Sequence, residues 1–247
     1  MVGFFIFILG MIIGSFLNVC IYRIPKGESL ICPASYCENC RTNIMMYDMI
    51  PVFSYIILHG RCRNCNGTIP VRYAIIEFLS GLVFLLMFHI YGLGIVFLKY
   101  CTLVSILIVI AVIDYDTTDI YLSTVALGIV FSIVFILIYI YIGIPVKSYI
   151  LGGVFGGSIF LLLIILTRGA MGLGDMEIIT FCGMFLGIKL TVLLIFLSFL
   201  IGSICGTILI LMGKNTMKDY IPFAPYILIA TVICASFGTN IFNFIVY

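Results

Sequence analysis

Two groups of side chains in this 247-residue chain have the types and spacing that chemistry needs. The first is sulfur. Cys37-Glu38-Asn39-Cys40 and Cys62-Arg63-Asn64-Cys65 are two Cys-x-x-Cys knuckles separated by 21 residues. Each knuckle can present two thiolates to one ion, and a pair completes the tetrahedral four-sulfur shell preferred by structural Zn²⁺. Arg41, Arg61 and Arg63 flank them and offset thiolate charge. The competing reading is a pair of disulfides, which a reducing compartment disfavours. Cys32 has no partner at knuckle spacing and reads as a free thiol. Cys20, Cys101, Cys182, Cys205 and Cys234 stand singly in apolar runs, where cysteine behaves as a small hydrophobe.

The second group is acidic. Of ten carboxylates, five stand at two helix boundaries: Asp114, Asp116 and Asp119 at one, and Asp175 and Glu177 after Gly172-Leu173-Gly174 at the other. Ionisable groups at membrane depth cost several kcal/mol each and are functional candidates by default. Asp116 and Asp119 also suit helix caps beside Thr117 and Thr118. Asp114 ends the apolar run Val109–Ile113, and Asp175 is approached by two glycines that allow close backbone contact. Two aspartates converging at a wet membrane edge can perform aspartyl proteolysis. One carboxylate activates water while the other, protonated, polarises the carbonyl or protonates the leaving amide. There is no His-Glu-x-x-His sequence, and the two histidines are His59 in a polar segment and His89 late in an apolar one. A serine or cysteine nucleophile near Asp114 or Asp175 would therefore lack an evident base.

These groups must be positioned by membrane helices. The chain is 64% hydrophobic and 9% charged, against about 25% charged in soluble domains. Its uncharged runs, such as Val2–Tyr22 and Phe78–Leu98, are continuous and long rather than alternating, which points to helices of about 20 residues and excludes a strand-built barrel. A net charge of +2 gives no basic surface for nucleic acid. The N-terminal run has no preceding cation and no small-residue cleavage site, so it reads as a retained helix. We expect an all-α polytopic membrane protein of about eight transmembrane helices, at roughly 2–22, 73–93, 95–114, 119–142, 148–167, 176–188, 190–212 and 222–245. The organisation is a first helix (1–22), a small zinc-stabilised cytoplasmic domain between the first two helices (23–72), and a seven-helix peptidase domain (73–247). The polar domain is too small to build a sufficient core, so metal should supply much of its stability. Eight helices put nine basic residues in inner loops and three in outer ones, which satisfies the positive-inside rule with both termini outside. Merging the short sixth helix with the seventh would move Lys214 and Lys218 outside and weaken the bias.

With these residues in place the chain resembles the type IV prepilin peptidases, bifunctional leader peptidase/N-methyltransferases of the bacterial inner membrane. Gly14-Ser15-Phe16-Leu17-Asn18-Val19 through Tyr22-Arg23-Ile24-Pro25 is similar to the family's opening signature, and the four knuckle cysteines to its cytoplasmic tetrad. Pro51, Ser54, Gly60-Arg61-Cys62, Arg72-Tyr73 and Glu77 extend the match. Ile113-Asp114 resembles the first catalytic aspartate, Gly172-Leu173-Gly174-Asp175 the Gly-x-Gly-Asp motif carrying the second, and Ile221-Pro222-Phe223-Ala224-Pro225 the C-terminal signature. This chain departs from the family at Tyr121-Leu122, where Pro-Asp is usual after isoleucine, at Glu177, where lysine is usual, and at Glu38, where proline is common. The resemblance implies cytoplasmic cleavage of a basic leader from prepilin or pseudopilin precursors, followed by methylation of the new N-terminus from S-adenosylmethionine. No Gly-x-Gly-x-x-Gly turn marks a methyl-donor site. Competing classes are a transporter with a zinc-stabilised loop or a membrane scaffold. Against the transporter stand the absence of an internal repeat and the clustering of the acids at one face.

Overall fold

The computed structural model describes residues 1–32, 34–167, 171–213 and 221–246, the side chains of 239 and 243–246 excepted. The loop cations Arg168, Lys214 and Lys218 lie outside the described residues. The helices are α1 (Val2–Arg23), the short α2 (Phe53–Ile57), α3 (Arg72–Tyr91), α4 (Ile95–Thr117), α5 (Leu122–Tyr141), α6 (Lys147–Leu166), α7 (Leu173–Leu186), α8 (Ile188–Leu211) and α9 (Ala224–Val246). Setting α2 aside, these are the eight helices expected from the uncharged runs, and the protein is an all-α polytopic membrane protein. Among the described residues, six of them, α1, α3, α4, α5, α6 and α8, are long and apolar enough to cross a bilayer. Their ends follow the breakers: Pro25 follows α1, and α3 and α7 stop at Gly92 (φ 64°) and Gly187 (φ 81°).

Packing divides the chain into two units, Met1–Phe97 and Leu98–Tyr247. In the first, α1 lies along α3. A Cβ added to Gly10 would stand 2.8 Å from the Cα of Gly81, and one on Gly14 2.8 Å from the Cα of Glu77. Small residues are what let two membrane helices approach closely enough for dispersion to hold them.

In the second unit α7 is surrounded by α5, α6, α8 and α9. Ile178, Ile179, Phe181 and Cys182 are wholly buried. With 14 residues α7 is about 21 Å long, short of the roughly 30 Å hydrocarbon. Because protein rather than lipid covers it, it need not match that thickness. It is distinct from α8, from which Gly187 separates it at a positive φ (φ 81°, ψ 161°) that favours glycine, so the merged-helix alternative does not occur. Its contact with α6 is built on main chain: a Cβ on Gly183 would meet the nitrogen of Gly153 at 2.9 Å.

One sequence expectation is corrected here. Asp116 and Asp119 do not cap α5, which is preceded by Tyr121 without any side-chain cap. The reason is that α4 runs three residues past Asp114 and takes Asp116 into its last turn. Thr118 then breaks the helix with a φ of 58°. Thr117 is the residue that closes this end, its hydroxyl donating to the Ile113 carbonyl (2.8 Å) and accepting from the Asp119 N–H (3.3 Å).

Candidate active site and metal centre

The sulfur cluster lies in the first unit and is one backbone motif built twice. The Cys37 N–H donates to the Thr42 carbonyl (3.0 Å) and the Arg41 N–H to the Cys37 carbonyl (2.8 Å). The same pair recurs from Cys62 to Gly67 (2.8 Å) and from Asn66 to Cys62 (2.9 Å). Arg41 and Asn66, each following the second cysteine of its knuckle, take φ of 55° and 56°. Single β-bridges, Tyr36 to Asn43 and Arg61 to Thr68, close both knuckles.

The four Sγ atoms of Cys37, Cys40, Cys62 and Cys65 all lie within 4.8 Å of one another, and those of Cys37 and Cys65 are 3.8 Å apart. Tetrahedral zinc with Zn–S bonds of about 2.3 Å requires sulfurs about 3.8 Å apart, so the donor set fits that ion. Hydrogen bonds from Thr42 pull the Cys40 thiol down to about 6, and the Cys65 and Asn64 main chain lowers Cys62. At Cys65 the Gly67 N–H pulls the same way, but burial and the neighbouring sulfurs outweigh it and push the thiol up to about 11.

The rest of the loop has almost no core. Neither the 3₁₀ turn Met46–Met49 nor α2 buries a residue, and Met46 and Ile57 are largely exposed. Polar ties hold it instead: Arg63 grips Asp48 through two nitrogens (2.7 and 2.9 Å), keeping that carboxyl below its usual range. The Val52 N–H donates to Glu77 of α3 at 2.8 Å.

The acidic group lies in the second unit. Asp114, in the last turns of α4, is fully buried, and Asp175, in the first turn of α7, is 2% exposed. The two carboxylates are within electrostatic reach of each other. One oxygen of Asp114 accepts the Ala224 N–H at 2.9 Å. That donor is an orphan N–H at the start of α9, where the helix dipole favours negative charge. Asp175 is bonded by the Gly172 main chain. Among the described residues, the other oxygen of each aspartate is buried without a hydrogen-bond partner, a rare condition that calls for an explanation.

Gly174 makes the approach possible, because a Cβ there would stand 2.7 Å from the Cβ of Ile120. Asp116 and Asp119 are exposed, and Glu177 is half-buried. Asp119 and Glu177 line a cavity of about 320 Å³ with Thr118, Ile120, Gly172 and Gly174. The Ala224 donor was not visible as such in the sequence, although the prolines at 222 and 225 mark a fixed helix start there.

Comparison with known proteins now bears on both groups. The family model described as type IV leader peptidase family matches residues 101–207, which hold Asp114 and Asp175. That of the bacterial peptidase A24 N-terminal domain matches residues 8–91, which hold the four cysteines. A prepilin leader peptidase/N-methyltransferase from Neisseria gonorrhoeae is 32% identical over 235 residues, covering 82% of this chain and 80% of that one. The chain belongs to the type IV leader peptidase family. A relative of the same description from Bacillus subtilis (strain 168) is 29% identical over 242 residues, 97% of this chain and 96% of its own. One from Klebsiella pneumoniae is 31% identical over 200 residues, 75% and 85% of the two chains. No solved structure matches. As a member of this family the protein is a multi-pass membrane peptidase carrying a four-cysteine cluster able to hold a metal ion.

Proposed function

We propose that the protein is an aspartyl peptidase that removes the basic leader of type IV prepilin or pseudopilin precursors, with Asp114 and Asp175 as its catalytic pair. The observation that carries this reading is two buried carboxylates, in mutual electrostatic reach, each with one oxygen that no described residue claims. Those oxygens are where a water and a scissile carbonyl would bind. In the reaction one carboxylate takes a proton from water as the oxygen adds to the carbonyl carbon. The other, protonated, donates to the amide nitrogen, the C–N bond breaks, and the pair returns to a singly protonated state. The Ala224 N–H fixes the orientation of Asp114, and the close packing at Gly174 holds Asp175 beside it.

In this reading Cys37, Cys40, Cys62 and Cys65 hold a structural zinc, which joins the two knuckles and takes no part in hydrolysis. The printed names of the relatives add methyl transfer to the new N-terminus. S-adenosylmethionine supplies an electrophilic methyl group to such a reaction, and we assign it as the donor. Purified protein incubated with a precursor that has a basic leader, a junction glycine and an apolar segment of about 20 residues should release the leader. With the donor present, the mature N-terminus should gain the mass of one methyl group. An unchanged precursor mass would contradict the reading.

The charge bias of the loops assigns the polar segment and both aspartates to the cytoplasmic face of the inner membrane, with both termini outside. Single cysteines introduced at Met46, Thr118 and Ile144, on a background that keeps only the four metal ligands, test this with a membrane-impermeant thiol reagent. The first two should be labelled from the cytoplasmic side and the third from the opposite side. Labelling of positions 46 and 118 from opposite sides would exclude it.

A further inference from the structure

The loop between α1 and α3 carries its large apolar side chains on the outside. In α2, Phe53, Ile56 and Ile57 are 54%, 63% and 69% exposed, and Ile50 just before it is exposed too. Positions 53, 56 and 57 have the i, i+3, i+4 spacing of one helix face. Tyr55 turns the other way, its hydroxyl 2.8 Å from where a Cβ on Gly60 would stand. From Thr42 to Leu58 the only charged side chain is Asp48, and Arg63 pairs with it. A contiguous uncharged face of this kind marks a surface that something covers.

The depth of α2 is fixed by both neighbouring helices. Glu77 lies five residues beyond Arg72, about 7.5 Å along α3 from its start. On α1 the same level is that of Gly14, whose added Cβ would meet the Cα of Glu77 at 2.8 Å. Gly14 stands nine residues before Arg23, about 13 Å from that end of α1. The Val52 N–H donates to the Glu77 carboxylate at 2.8 Å, so the main chain entering α2 is tied to a side chain rooted below both helix ends. Tyr22 and Tyr73, in the last turn of α1 and the first of α3, are of the type that collects at headgroup level. Val52 takes a φ of 63°, which a β-branched residue keeps only where its surroundings enforce it.

We propose that α2 is an interfacial segment, whose Phe53, Ile56 and Ile57 insert at the boundary between lipid headgroups and acyl chains beside α3. The occupant of the face is lipid because, at the same depth, Phe16 of α1 and Phe78 and Leu79 of α3 are exposed as well, and in spanning helices such side chains face the bilayer. The main chain is prepared for that setting, where water does not satisfy it. Pro51 has no N–H, and those of Val52, Phe53, Ser54, Ile56 and Leu58 each have an acceptor within the protein. The Ser54 hydroxyl donates to the Ile50 carbonyl at 2.7 Å. The Arg63–Asp48 pair, with Arg63 half-exposed, belongs to the aqueous side, so the chain enters the boundary after Asp48. Insertion gives a loop with almost no core a third attachment to the membrane besides its two ends. The proposal is independent of the peptidase and methyltransferase readings.

The chain has no tryptophan, so a single introduced indole reports its own surroundings. Full-length protein carrying Phe53→Trp, Ile57→Trp or Met46→Trp is reconstituted in vesicles of phosphatidylcholine and phosphatidylglycerol, with acrylamide on both sides. Metal content equal to the wild type identifies folded protein in each case. At positions 53 and 57 the emission should shift to the blue, resist acrylamide and be quenched by lipids brominated on the acyl chain. Bromines near the carbonyl end should quench more than those near the chain terminus, which places the indole about 5–10 Å into the boundary. At position 46 the emission should be that of an indole in water, open to acrylamide and indifferent to brominated lipid. Acrylamide quenching at 53 or 57 as strong as at 46 would overturn the proposal. Blue-shifted emission that brominated lipid leaves unchanged would also overturn it, because protein, such as a second copy of the chain, would then cover the face.

Discussion

Asp114→Asn and Asp175→Asn should each lower the rate of leader cleavage by about a thousandfold or more, with zinc content unchanged. An amide has the shape of the carboxylate but can neither take a proton from water nor give one to a leaving nitrogen. The structural consequences of the two changes should be small. The amide introduced at position 114 retains an oxygen to accept the Ala224 N–H, and residue 175 remains in the first turn of α7, where asparagine is tolerated. Loss of activity can therefore be separated from loss of fold by an unchanged melting temperature in detergent. Asp116→Asn and Asp119→Asn should retain activity within about threefold, since both side chains are exposed and a surface change has little effect. Strong loss confined to Asp116→Asn would move the first catalytic carboxylate by two residues and keep the mechanism.

Replacing Cys37 and Cys65 together by serine should remove about one equivalent of zinc per chain and unfold the loop, leaving the helices in place. The size of the effect follows from what else holds the segment. Neither its 3₁₀ turn nor α2 buries a side chain, and among the described residues its other ties are polar, such as the Arg63–Asp48 pair, the Arg23 bonds to the Ser29 and Ala34 carbonyls and the Val52 bond to Glu77 of α3. Such contacts each contribute about 1 kcal/mol, whereas structural zinc contributes about 10–16 kcal/mol in zinc-finger peptides. Limited proteolysis should cut the variant within residues 23–72 far faster than the wild type. Full metal content in the double variant, measured by elemental analysis, would contradict the assignment of the four sulfurs as ligands.

How much of this could be read from the sequence depends on the range of each interaction. The eight helices follow from uncharged runs, and the knuckles from four cysteines at fixed spacing, both local signals. The break at Gly187 was visible as Gly187-Ile188-Lys189, and α7 and α8 are separate helices there. The end of α4 was placed too early, at Asp114, because a charged residue after an apolar run looks like a terminus. The helix in fact takes in Asp116 and stops only where Thr118 turns left-handed. The same misplacement produced the cap reading of Asp116 and Asp119. The hydrogen bond from Ala224 to Asp114 spans 110 residues, and no local pattern encodes it. The proline-flanked signature at Ile221–Pro225 hinted only that this helix start is fixed. Nor could spacing show that Gly174 is small because Ile120 packs against it.

The most direct measurement of whether Asp114 and Asp175 act together on a tetrahedral centre uses a peptide spanning the leader junction, its scissile amide replaced by a hydroxyethylene group. The hydroxyl of that isostere occupies the position of the attacking water and should lie against the two unclaimed carboxylate oxygens. It should inhibit the wild-type protein competitively, binding about a hundredfold or more tighter than the amide peptide of the same sequence, and the preference should vanish in Asp175→Asn. An isostere that binds the wild type no more tightly than the parent peptide would contradict the aspartyl mechanism.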